Sequence, residues 1–194
     1  KPLGLGLAQE RRHRPGELGP LQAGGPVGRV AVAPEVAGEG AERRQVAGHR
    51  AGAGPPLRLL VLGDSAGAGV GAPSQDEALT GRLVARLREC HRVEWRLIAH
   101  TGATTASTIR YLERIAPFAT DVVVTSLGVN DVTGDVGVER FLRRQGTLRT
   151  LLRERFGARL IVVSGLPPMH HFPALPQPLR WYLGERAREL DRAL

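Results

Sequence analysis

The sequence is poor in several residue types, and each scarcity argues against a class of protein. Cys90 is the only cysteine, so no internal disulfide can form. Aromatic residues make up 4% of the chain, which leaves few surfaces on which nucleic-acid bases could stack. No apolar run approaches the roughly 20 residues that span a bilayer, and the first residues lack the pattern of a secretory signal. We therefore expect a soluble chain, with a cytoplasmic location favoured, that binds neither membranes nor nucleic acid.

The basic residues are almost all arginines, because Lys1 is the only lysine. They give a formal net charge of +8, but they are scattered both before and after residue 56. This distribution forms no concentrated basic patch in the sequence, so the charge by itself does not indicate a nucleic-acid surface. Cys90 lies in a helical pattern and is predicted to be a small buried residue.

The chain divides near residue 56. Residues 1–56 are rich in glycine, proline, alanine, arginine and glutamate and show no periodicity beyond the short run 27–36. We interpret them as a disordered or non-native low-complexity tail that packs little against the rest. Because the chain does not begin with methionine, we expect a processed or incomplete product. Residues 57–194 are predicted to form one domain.

Apolar runs alternate with amphipathic stretches in this domain, which predicts an α/β fold with a parallel sheet covered by helices. The predicted strands are 58–62, 93–99, 121–127 and 159–164, and the predicted helices are 75 onward, 106–118, 138–156 and 178–194. A capping box of Ser74 and Glu77 is predicted to start the first helix, and Gly157 to end the third. Right-handed crossovers give the strand order 2-1-3-4.

Loops that follow parallel strands meet at one edge of the sheet, where functional groups collect. Here these loops combine a hydroxyl, a side-chain amide and flexible glycine backbone, which are the groups that acyl transfer requires. Ser65 can attack a carbonyl carbon, and the N–H groups of Ser65 and Gly102 with the Asn130 amide can stabilise the oxyanion. The four loops are Gly63-Asp64-Ser65, Thr101-Gly102, Gly128-Val129-Asn130-Asp131 and Gly165-Leu166-Pro167-Pro168.

These residues resemble the SGNH hydrolase superfamily, also called GDSL esterases and lipases. The segment 61–65 is similar to its first block, Gly102 to the glycine of the second, and 128–131 to the G-x-N-D of the third. The resemblance implies a flavodoxin-like three-layer α/β/α sandwich, a small-molecule ester substrate and no metal or organic cofactor. It implies a nucleophilic Ser65 and an oxyanion hole of Ser65, Gly102 and Asn130. The residues with supporting roles are Gly63, Asp64, Gly128 and Asp131.

The sequence departs from this family pattern at its far end. An Asp-x-x-His block should follow a fifth strand and supply the general base, yet no histidine follows His171. We therefore expect the domain to be truncated, with the fifth strand absent and the chain by itself almost inactive. His100, His170 and His171 are interpreted as pocket-lining or structural residues in preference to a substitute base.

Two alternative functions and the role of one pair of aromatic residues stay open. The segment 67–72 fits the G-x-G-x-x-A pattern of a nucleotide-binding domain, although it lies late after the first strand. An inactive or ligand-binding member of the esterase fold is the second alternative. Trp181 and Tyr182 are predicted to anchor the core in preference to forming a substrate wall. The sequence leaves the oligomeric state undetermined.

Overall fold

The computed structural model describes residues 31–32, 43–50, 52 and 54–194. The strands are β1 Ala31–Val32, β2 Arg43–Arg50, β3 Pro56–Gly63, β4 Arg92–His100, β5 Val122–Ser126 and β6 Leu160–Val163. The helices are α1 Leu79–Leu87, α2 Thr105–Arg114, α3 Val129–Thr133, α4 Val138–Phe156 and α5 Leu179–Ala193, with a short 3-10 turn at Met169–His171.

The described strands form one sheet with the order β1-β2-β4-β3-β5-β6. The pairs β4–β3, β3–β5 and β5–β6 are parallel, so the predicted order of the four parallel strands is confirmed. β3 is a central strand of these four, since Leu60 pairs with Arg96 on one side and with Val123 on the other. The apolar run of β3 suits this place. A central strand is buried on both faces and needs apolar side chains on both.

The interpretation of residues 1–56 as a loosely packed tail is wrong for part of that segment. β2 pairs antiparallel with β4 along its whole length, from Arg43 opposite His100 to Arg50 opposite Val93. The physical reason is that β4 would otherwise present unpaired backbone groups at a sheet edge. The sequence pattern missed β2 because Val46 is its only large apolar residue. The other residues of this segment lie outside those that the structure describes, apart from 31–32, 52 and 54–56.

Helices cover both faces of the sheet, which confirms the three-layer α/β/α class. Alternate residues of β3 point to opposite faces, as a strand requires. Leu60 and Leu62 pack in a cluster with α2 and α4, whereas Leu59 and Val61 pack in a second cluster with α1. A third cluster, away from the sheet, joins α3, α4 and α5 and includes Val132, Phe141, Met169, Leu183 and Leu190.

Several local expectations differ from the structure. The helix predicted from residue 75 begins only at Leu79, and Ser74 with Glu77 lies in the preceding turns. α1 ends at Leu87, so Cys90 lies beyond it and is exposed instead of buried. Gly157 ends α4 in the left-handed conformation, as predicted. Trp181 and Tyr182 are 61% and 42% exposed, so the expectation that they anchor the core is wrong.

The sheet ends at β6 on the side away from β2. Among the described residues β6 pairs with β5 alone. Leu160 and Val162 are exposed on the face that carries Leu59 and Val61, because α1 covers the other end of that face. β6 is therefore an apolar edge strand with uncovered side chains.

None of the helices in the described ranges has the length and the apolar character that crossing a membrane requires.

Candidate active site

Ser65 lies on a tight turn directly after the central strand. The backbone N–H of Asp64 donates to the carbonyl of Ser126 at 3.2 Å, and the Asp64 carboxylate accepts from the Ala66 N–H at 3.0 Å. The turn brings Gly63 so close to Gly67 that a Cβ on Gly63 would lie 2.6 Å from the Gly67 Cα. Glycine is therefore required at both positions, and the turn holds Ser65 half-buried at the carboxyl end of β3.

Gly102 follows β4 at the same edge of the sheet. Its φ of 79° lies in the left-handed region, which glycine adopts without strain. The chain then enters α2 through a reciprocal capping box, in which Thr104 accepts from the Ser107 N–H and Ser107 accepts from the Thr104 N–H. The exposed Gly102 peptide thus precedes a helix whose start is fixed by local hydrogen bonds.

Asn130 connects these two loops. It lies in α3, and its side-chain Nδ2 donates to the Ala103 carbonyl at 3.0 Å and to the Asp64 carboxylate at 3.3 Å. An asparagine amide carries two hydrogens, so one can serve each acceptor. Asp64 and Ala103, the residues next to Ser65 and Gly102, therefore meet at the Asn130 amide. The distances from the Ser65 hydroxyl itself stay a prediction.

Asp64 is the charged group of this cluster. It is 3% exposed, and burial raises the pKa of its carboxyl above the usual value, partly offset by the N–H groups of Ala66 and Gly67. A carboxylate in this position holds the turn and the Asn130 amide together. Asp64 thus contacts both the Ser65 turn and Asn130, and its supporting role in a reaction stays a prediction.

Asp131 is completely buried beside Asn130. Its Oδ2 accepts from the Thr105 N–H at 2.8 Å and from the Thr105 hydroxyl at 2.9 Å. Gln145 on α4 donates to the same hydroxyl at 3.1 Å, and Arg144 lies 3.6 Å from the second Asp131 oxygen. The sequence pattern does not mark Thr105, Arg144 or Gln145, because nothing local distinguishes them from any other helical threonine, arginine or glutamine.

A family model described as the GDSL-like lipase/acylhydrolase family matches residues 61–194, from within β3 through the loops that carry Ser65, Gly102 and Asn130. The chain belongs to the GDSL-like lipase/acylhydrolase family. The resemblance found in the sequence is thereby confirmed. The sheet edge that gathers these three loops lies within the matched part of this GDSL-like domain.

One relative is a GDSL-like esterase of Mycobacterium tuberculosis, which is 32% identical over 142 residues. The alignment covers 71% of this chain and 44% of that protein. The chain therefore spans less than half the length of this GDSL-like relative.

Two solved structures support the fold assignment. The crystal structure of TesA is similar with a TM-score of 0.54 and 20% identity, over 71% of this chain and 70% of that one. A lipolytic protein of the G-D-S-L family from Veillonella parvula is similar with a TM-score of 0.52 and 13% identity, over 70% and 71%. At these identities the likeness shows the fold alone.

The segment 67–72 does not form the nucleotide-binding turn of the alternative reading. Gly69 and Gly71 have φ values of 86° and 90° within a run of turns, and α1 begins only at Leu79. A dinucleotide site needs the glycines to open a helix directly after the strand. In this GDSL-like domain the segment instead continues the turn that carries Ser65.

The histidines beyond β6 are engaged with α5. His170 Nε2 lies 3.1 Å from Arg188 Nη2, and the ring centroids of His170 and His171 are 4.0 Å apart. Because arginine only donates, Nε2 must be the acceptor and carry no proton. Burial, Arg188 and His171 lower the pKa of His170. His170 is therefore held against α5 by Arg188.

The fourth loop also contacts α5, where the Leu166 N–H donates to Asp191 at 2.8 Å. His100, the last residue of β4, is half-buried next to the Gly102 loop. Within the described ranges, no group of three or more histidine, cysteine, aspartate or glutamate residues is placed to hold a metal ion.

Proposed function

We propose that this domain hydrolyses carboxylic esters through an acyl-enzyme on Ser65. The Ser65 hydroxyl loses its proton to a general base and attacks the ester carbonyl, and the alcohol leaves with a proton. Water then attacks the acyl-enzyme and releases the acid and the free Ser65. The observation that carries the proposal is the Asn130 amide, which contacts Asp64 and Ala103 and so ties together the loops of Ser65 and Gly102.

The proposed oxyanion donors are the N–H groups of Ser65 and Gly102 and the Asn130 amide. The hydrogen bond from Asn130 to Ala103 is the shorter of its two, whereas the bond to Asp64 is longer at 3.3 Å. The developing oxyanion would replace Asp64 as acceptor for the second Asn130 hydrogen. Removing one such donor typically costs about 3 kcal/mol of transition-state stabilisation.

The proposal assigns the general base to none of His100, His170 and His171. The family resemblance places that histidine in an Asp-x-x-His block, and the 194 residues contain no histidine after His171. Because a serine without a base is a weak nucleophile, we expect these residues by themselves to act about a thousandfold more slowly than a chain that carries the block. The name of the Mycobacterium tuberculosis relative, an esterase, supports ester substrates, and small or medium acyl groups suit the open sheet edge.

The test measures hydrolysis of 4-nitrophenyl acetate by the chain and by a longer chain that includes an Asp-x-x-His block. We expect slow, Ser65-dependent turnover in the first and fast turnover in the second. Ser65→Ala should abolish the enzymatic rate in both, whereas Ser74→Ala, which removes an exposed loop hydroxyl, should change neither. Mass spectrometry should find the acetyl group on the Ser65 peptide. Equal rates for Ser65→Ala and the wild type would refute the proposal.

The second candidate function is ligand binding without turnover, as in an inactive member of the fold. It is favoured for the 194 residues by themselves, because Arg188 engages His170 Nε2 and no histidine follows His171. It predicts that an ester binds with no rate increase in either chain. Ser65-dependent turnover in the longer chain would exclude it.

A further inference from the structure

The buried polar residues beside Asn130 have no direct part in the proposed reaction. Asp131, Thr105 and Gln145 are 0%, 0% and 1% exposed and lie on α3, α2 and α4. Their hydrogen bonds run in one chain, from Gln145 Nε2 to the Thr105 hydroxyl and from that hydroxyl to Asp131 Oδ2. We call these three residues the buried network.

The buried network and Asn130 form two adjacent cross-links between the same pair of loops. Asn130 reaches the Ala103 carbonyl at 3.0 Å, and Asp131 accepts from the Thr105 N–H at 2.8 Å. Residues 130 and 131 are thus bound to residues 103 and 105 across the start of α2. Two such bonds restrict the rotation of α3 against α2 more than a single bond would.

Gln145 is a buried polar side chain at a position where an apolar residue would pack as well. It lies among the apolar residues of α4, and Phe141, Leu148 and Leu152 are buried around the same helix. Its Oε1 is buried without a hydrogen-bond partner among the described residues. An unpaired buried oxygen opposes folding, and an apolar side chain of similar volume would avoid that cost. What Gln145 does supply is one donor to the Thr105 hydroxyl.

We propose that Asp131, Thr105 and Gln145 are positioning residues for the oxyanion hole. Gln145 orients the Thr105 hydroxyl towards Asp131, and Asp131 then holds Asn130 and the loop that carries the Gly102 N–H in one fixed geometry. Preorganised donors act because they need no rearrangement when charge develops on the substrate. This inference rests on the proposed function and identifies the residues that hold the proposed oxyanion donors in place.

The test uses the fact that Asn130 is the only asparagine of the chain. Labelling with [15N]asparagine therefore gives one pair of side-chain amide proton signals by NMR. Their exchange with water reports how firmly the Asn130 amide is held, whether or not the chain is catalytically active. Thermal unfolding followed by circular dichroism reports global stability on the same samples.

Thr105→Val removes the hydroxyl while keeping the shape of the side chain, and we expect the Asn130 protons to exchange about tenfold faster. Thr105→Ser restores a hydroxyl and should restore slow exchange. Thr80→Val is the matched control, since Thr80 is a buried threonine on α1 whose hydroxyl has no partner among the described residues. It should leave the Asn130 signals unchanged.

Gln145→Leu is the decisive variant, because leucine suits an apolar helix face and should not prevent folding. We expect the exchange of the Asn130 protons to rise by at least about threefold at an unchanged or higher unfolding temperature. Wild-type exchange in Gln145→Leu would overturn the inference and leave the network a structural cross-link. If Ser65→Ala loses activity but Gln145→Leu leaves the exchange unaffected, the proposed function is correct and the positioning role of the buried network is wrong. Activity kept in Ser65→Ala together with faster exchange in Gln145→Leu would mean that the proposed function is wrong and that the network does hold Asn130.

Discussion

At the scale of a single residue, the contacts of Asn130 depend on residues that are distant in the chain. Its amide contacts Ala103 and Asp64, which are 27 and 66 positions away in the chain. The side chain is therefore useful only after three loops have assembled around it. An isolated Gly-x-Asn-Asp segment has the same covalent structure but no fixed donor geometry.

The ion pair between Arg58 and Asp121 gives a prediction at the same scale. The guanidinium donates to Asp121 at 2.9 and 2.7 Å, and this hydrogen-bonded contact lowers the pKa of Asp121 to about 2. The lowered pKa stabilises the folded state at pH values above the pKa of Asp in the unfolded chain, which is near 3.9. That stability is lost as the pH falls towards the folded-state pKa of about 2.

We expect Asp121→Asn to reduce the free energy of unfolding by about 1 kcal/mol at pH 7, since Arg58 is partly exposed and solvent screens the pair. At pH 2.5 the difference from the wild type should shrink to well under half of that. Urea unfolding of both chains at pH 7 and pH 2.5 measures this difference in the free energy of unfolding. Glu154→Gln on the exposed side of α4 serves as the control. A loss that does not depend on pH would contradict the assignment to the carboxylate charge.

At the scale of elements, β2 protects the edge of β4. Its eight residues pair with β4 from Arg43 to Arg50, and Val46 packs against the cluster under α1. Backbone pairing of this kind depends little on side-chain identity, which is why an arginine-rich segment can serve as an edge strand.

Shortening the chain tests this role of β2. A chain that begins at residue 43 keeps β2 and should unfold at nearly the same urea concentration as the full chain. A chain that begins at residue 54 exposes β4, and we expect a loss on the order of 2 kcal/mol with a greater tendency to aggregate. Urea titration and light scattering measure the two effects. Equal stability of both shortened chains would mean that β2 contributes nothing to the domain.

At the scale of the whole molecule, the two edges of the sheet differ. β2 covers β4, whereas β6 carries Leu160 at 55% and Val162 at 44% exposure and pairs with β5 alone among the described residues. An apolar edge strand without charged residues is a template for pairing with another chain.

We therefore expect the purified 194-residue chain to self-associate at micromolar concentrations. Val162→Lys places a charge on β6 and should shift the population towards monomer. Val70→Lys changes another exposed valine, at 66% exposure, and should leave association unchanged. Light scattering coupled to gel filtration gives the masses. A strictly monomeric wild-type chain would contradict this expectation.

The sequence by itself determined the features that short-range patterns encode. The apolar runs gave the four parallel strands, Gly157 marked the end of α4, and the spacing of Ser65, Gly102 and Asn130 after successive strands indicated both the family and the sheet edge. These features depend on residues close together in the chain or on the repeat of strand and helix, so their physical cause is visible in the sequence.

Only the tertiary structure decided the remaining features. β2 was missed because pairing with β4 satisfies backbone groups and leaves little trace in the side chains. Gln145 and Thr105 could not be recognised because their bond joins residues 40 positions apart on two helices. Trp181 is exposed because α5 turns it away from the cluster that buries Leu183 and Leu190. In each case long-range packing fixes the outcome, since a residue's burial and partners depend on which elements come to lie beside it.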